Sequence, residues 1–139
     1  MDGRVELQAE IDAPREVVFA LVSTGDGLGR WLDAATIEAR LGGAVRLRLL
    51  DAEVAGKVVA LDAPQHISIT WDYPAEPLTS LSVVAFDAIS HGHRTHLTVR
   101  QVGLVGSRSR DDHEALWRFW FPRLVEAAHA ARGIATPAS

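Results

Sequence analysis

Cysteine is absent from this chain of 139 residues. Disulfides, thiolate nucleophiles and cysteine-ligated zinc sites are therefore excluded. Lysine is almost absent too: Lys57 stands alone, the arginines are scattered, and the formal net charge is −4. Nucleic-acid binders gather basic residues on one face, so no nucleic-acid partner is expected. No apolar run approaches the ~18 residues of a membrane-spanning helix, so no membrane span is expected. Met1-Asp2-Gly3-Arg4 leads straight into an alternating pattern, without the apolar stretch of a secretory signal. The expectation is a cytoplasmic protein. Repeats, linkers and low-complexity tracts are also missing. The length suits one domain, placed at residues 1–134, with 135–139 a frayed tail.

Apolar residues make up 47% of the chain, enough for a real core. Val5, Leu7, Ala9 and Ile11 alternate with polar residues and predict a first strand. Asp12 is suited to cap a helix and Pro14 to open one. Val17, Val18, Leu21 and Val22 follow at helical spacing. Leu28 to Leu32 reads as a second short helix or turn. Strands are then expected at 35–40, 45–49, 53–61, 67–71, 80–89 and 93–102, with Gly42-Gly43 and Ser90-His91-Gly92 as hairpin turns. Gly56 marks a bulge or a close approach of backbones. Residues 109–132 predict a long helix, capped by Ser109, with Asp111, Asp112 and Glu114 in its first turn and Gly133 at its end. Pro122 inside it predicts a kink near 118–122, because an interior proline costs about 3 kcal/mol. Strands grouped apart from the long helix give an α+β class.

The order and spacing of several short stretches resemble the START-like superfamily of helix-grip proteins. They are Ile11 to Phe19, Trp31-Leu32, Gly42-Gly43, Gly56-Lys57-Val58, Leu61 to Pro64, Ile69-Thr70-Trp71, Thr95 to Val99, and Trp117 with Phe121 and Leu124. The branch is the one named after the activator of the heat-shock protein ninety ATPase. The resemblance implies a helix-grip fold: a curved antiparallel sheet of about six to seven strands around the C-terminal helix, with two short helices after the first strand. It also implies a hydrophobic cavity between sheet and helix. Relatives include lipid-transfer domains, polyketide aromatases and cyclases, and a chaperone activator, so fold alone does not assign function. Leu116 stands where many relatives have glycine, which should narrow the cavity, and Pro122 is unusual and should open one end.

Phe19, Trp31, Leu49, Trp71, Phe86, Trp117, Trp120, Phe121 and Leu124 are the expected lining residues, with plain core filling as the alternative. Gln101 joins them because it shares a strand face with Leu97 and Val99, although its place near the strand end points to solvent. His91, His93, His96 and His113 read as solvated loop residues rather than metal ligands. No metal and no cofactor are expected. The inward positions carry almost no ionisable groups, and no Ser-His-Asp arrangement, nucleophile elbow or phosphate-binding loop is recognised. This inventory favours a binder over an enzyme. The expected function is binding of a small hydrophobic or aromatic molecule. The alternatives are a cyclase- or aromatase-like enzyme and a protein-interaction module, with a homodimer left open.

Overall fold

A computed structural model describes residues 3–50, 52–78 and 80–135, the side chains of 107, 108 and 132–135 excepted. Seven strands form one antiparallel sheet: β1 (Val5–Ile11), β2 (Ala34–Ile37), β3 (Ala44–Leu49), β4 (Ala52–Asp62), β5 (His66–Thr70), β6 (Val83–His91) and β7 (Arg94–Val102). Their order across the sheet is β1-β7-β6-β5-β4-β3-β2. Two short helices, α1 (Arg15–Ser23) and α2 (Gly25–Leu28), link β1 to β2, and the long α3 (Ser107–Ala135) closes the chain. This is the helix-grip arrangement that the resemblance implies, in the α+β class that the residue pattern predicts.

The alternating stretches become strands because one face of each is buried. In β3, Val45, Leu47 and Leu49 are buried, while Arg46 and Arg48 between them are exposed. In β5, Ile67 and Ile69 face the core. Gly56 is a point of close approach: a Cβ there would lie 1.8 Å from the Thr70 carbonyl oxygen. The register shift comes slightly later, between Val58 and Ala60. The β6–β7 turn is tight, with His91 opposite Arg94 and Gly92 at a φ of 67°.

Several local expectations shift. Pro14, rather than Asp12, occupies the N-cap position of α1, and proline gives no side-chain cap there. The second helix forms in the glycine-rich segment, where the Thr24 hydroxyl accepts from the Gly27 N–H, and ends at Leu28; the chain from Gly29 to Trp31 is a turn. β2 stops at Ile37, and β6 starts only at Val83 because the chain before it forms a loop. α3 begins at Ser107, so Ser109 lies inside it and the acidic residues fall beyond its first turn. It also continues past Gly133 to Ala135. Pro122 sits within this one helix, with its ring on the exposed side. Of the expected tail, residues 136–139 lie outside the described residues.

Trp117, Trp120, Phe121, Leu124 and Ala128 form the buried stripe of α3, spaced three and four apart. The helix packs on β1 and on α1. No described helix is long and apolar enough to cross a membrane.

Candidate functional site

All ten expected lining residues are buried, between 0 and 6% exposed. Four of them meet directly. Trp117 lies in ring contact with Trp71 (centroids 5.4 Å apart), Phe86 (5.9 Å) and Trp31 (6.4 Å), and Trp31 meets Phe86 edge-on at 6.3 Å. The Trp31 indole N–H donates to the Leu21 carbonyl at 2.8 Å. Trp120 turns elsewhere, edge-on to Phe119 and under the Arg123 guanidinium. Leu49, Phe121 and Leu124 belong to the same core, and Phe19 reaches a shallow depression beside Leu61 and Pro64.

Gln101 is not solvated at its strand end but fully buried. Its amide oxygen accepts from the Trp117 indole N–H at 2.8 Å, and its amide nitrogen donates to the Ser82 hydroxyl at 2.9 Å. The protein itself supplies the partners that a buried amide requires. This bridge ties the end of β7 to the start of the buried stripe of α3.

A groove enclosing about 710 Å³ opens beside this core, between the loop after β5 and the start of α3. Its apolar wall includes Leu78, Val105 and Leu116. Its polar wall is built around Tyr73 and His113. Both were missed as inward groups. His113 reads as solvated from the sequence, yet it is only 5% exposed. A directed chain of hydrogen bonds runs through the pair. The Trp71 indole N–H donates to the Tyr73 hydroxyl oxygen at 2.9 Å. Tyr73 Oη lies 2.8 Å from His113 Nε2, and His113 Nδ1 lies 2.7 Å from the Ser109 carbonyl oxygen. A carbonyl only accepts, so Nδ1 carries the proton. In the neutral ring Nε2 then accepts from the phenol. The Tyr73 pKa is raised above its ordinary value, first by burial and then by the negative charges of Asp112 and Asp72. The phenol therefore stays protonated, as this chain requires.

A Ser-His-Asp constellation does exist, against the reading of the sequence. Asp87 Oδ1 lies 2.7 Å from His66 Nδ1, and His66 Nε2 lies 2.8 Å from Ser68 Oγ. His66 and Ser68 share the face of β5 opposite Ile67 and Ile69, and Asp87 is His66's partner on β6. The geometry resembles a catalytic triad, but its surroundings do not. β5 is bonded on both sides, so its peptide N–H groups serve the sheet rather than an oxyanion. Ser68 is only 8% exposed. The three side chains read as a cross-strand tie.

His96 bridges Glu10 and Gln8 on the outer face of the sheet at 2.8 and 2.9 Å, and His91 lies 3.4 Å from Glu10. Among the described residues, no group of His, Asp and Glu side chains is placed to hold a metal ion.

Residues 12–129 match the family model described as Activator of Hsp90 ATPase homolog 1-like protein. No curated protein matches the chain. Solved structures similar in fold include CalU16 from Micromonospora echinospora, with a TM-score of 0.74 at 18% identity, covering 95% of this chain and 84% of that one. An HSP90 activator from Plasmodium falciparum has a TM-score of 0.74 at 19% identity, covering 88% and 93%. The Aha1 dimer from Colwellia psychrerythraea has a TM-score of 0.74 at 17% identity, covering 94% and 97%.

Proposed function

Since the chain belongs to the Activator of Hsp90 ATPase homolog 1-like family, a family whose fold sets a sheet against a long helix, we propose that it binds a small, largely apolar or aromatic molecule at the edge of that interface. The observation that carries this reading is the groove of about 710 Å³ beside Tyr73, His113 and Leu116. That volume falls in the usual range for small-molecule sites, and an apolar wall with a few fixed polar groups is their usual lining. In this reading the buried aromatics around Trp117 are packed core beside the groove and do not line it. Leu116 narrows the site from the helix side. The Trp71–Tyr73–His113 chain holds the polar wall in one geometry.

A thermal-shift screen of aromatic, polyketide-like and lipid compounds tests it. A compound present at 100 times its Kd should stabilise the protein by about 2.7 kcal/mol, a shift of several degrees. Leu116→Trp intrudes on the groove from the helix side and should reduce the shift. The reading fails if no compound raises Tm, or if the tryptophan variant responds like the parent.

A further inference from the structure

We propose that the Tyr73–His113 groove takes an organic cation, an amine or quaternary ammonium carried on an apolar body; this rests on the small-molecule reading above. The argument begins with charge. Among the described lining residues the charged side chains are Glu53, Glu76 and Asp112, all carboxylates, and neither Lys nor Arg is among them. Two arginines with described side chains near the groove are engaged or turned outward. Arg110 lies 2.8 Å from Glu114 and 3.2 Å from Asp111. Arg48 approaches Glu53 only to 3.8 Å, with its side chain 58% exposed. Glu76 and Asp112 make no ion pair among the described residues.

The apolar surfaces stand beside these charges. Leu78, Val105 and Leu116 offer a wall for the body of the ligand. Tyr73 lines the groove too, and an aromatic ring attracts positive charge through its quadrupole. The negative field reaches this ring, since Asp112 and Asp72 both help to raise the phenol pKa.

One feature opposes the proposal. The amino end of α3 borders the groove and carries about half a positive charge. Glu76 and Asp112, without an ion pair among the described residues, carry two full negative charges and outweigh it. A concave site with low-dielectric walls focuses the net negative potential towards its mouth.

The test keeps the apolar body constant and changes only the charge. (2-Naphthyl)methylamine, (2-naphthyl)methanol and 2-naphthoate are titrated calorimetrically into the whole protein at low and high salt. The amine should bind about five-fold tighter than the alcohol, with the advantage shrinking at high salt. The carboxylate should bind weakest. Glu76→Gln and Asp112→Asn, both at exposed positions, should each weaken the amine about three-fold more than the alcohol. Leu116→Trp should reduce all three and so locate the binding. A carboxylate that binds as tightly as the amine, or an amine and alcohol that bind equally, overturns the cation inference while small-molecule binding stands. If none of the three binds and the wider screen also yields no ligand, the small-molecule reading itself falls.

Discussion

Gln101 is the residue on which the joint between sheet and helix turns. A glutamine at 0% exposure, holding the Trp117 indole and the Ser82 hydroxyl, is costly unless every partner is met, and here they are. Gln101→Ala leaves a cavity and a buried indole N–H without its acceptor. The expected loss is about 2–4 kcal/mol in urea unfolding. A loss below about 1 kcal/mol, within the range of an ordinary surface substitution, would show that the bridge is dispensable. The period-two pattern of β7 already places Gln101 with Leu97 and Val99 on the inner face. Its partner on α3 was not legible, because no rule of spacing connects a strand residue to one indole on a helix. Tyr73 and His113 pose the same problem more sharply, being 40 residues apart. Nothing near either of them marks the other. His66 and Ser68 were different: their two-residue spacing puts them on one strand face, and only Asp87 awaited the register of β5 on β6.

At the scale of elements, α3 shows how packing outweighs propensity. Pro122 lacks an N–H and leaves the Arg118 carbonyl without its usual helical donor. The ring lies on the exposed side, so water is at hand for that carbonyl, while the buried stripe from Trp117 to Ala128 keeps the helix seated. Pro122→Ala should therefore stabilise the protein. Restoring the hydrogen bond gains up to about 3 kcal/mol, and the freer unfolded chain gives back up to about 1 kcal/mol. A net rise of about 1–2 kcal/mol in a denaturant titration is the expected result. A fall would mean that the proline shapes the helix to fit the sheet. The strands themselves were well marked by their alternation. Their ends were less so: β6 starts at Val83 rather than at residue 80, because a loop's course depends on what it packs against and not on its own pattern.

The whole molecule carries much of its charge pairing on the outer face of the sheet, across β1 and β7. Glu6 is held down to about 2, first by a hydrogen bond from Arg100, then by Gln8, with Arg4 adding to the pull. Glu10 is lowered by its hydrogen bond with His96 and by His91. A carboxyl whose folded pKa is depressed stabilises the fold above its unfolded pKa. That contribution fades as pH falls from about 4.5 towards about 2. Tm should therefore drop across this window, and Glu6→Gln should drop less steeply. Superimposed Tm profiles for parent and variant would remove Glu6 from the account.

Composition and periodicity alone determined the class of this protein. Alternating apolar residues must bury one strand face, and a helix with apolar residues every three or four positions must find a sheet to cover. The order and spacing of those stretches then carried the resemblance to the helix-grip family. Tertiary structure alone decided where the polar chemistry lies. The aromatics expected to line a cavity are in mutual contact in the core. The groove lies to one side, where the loop after β5 meets the start of α3, and its polar wall joins Tyr73 to His113. Burial is a one-dimensional property that a pattern can encode. The meeting of two distant side chains at hydrogen-bond distance depends on register, loop path and helix rotation together, and no local pattern contains all three.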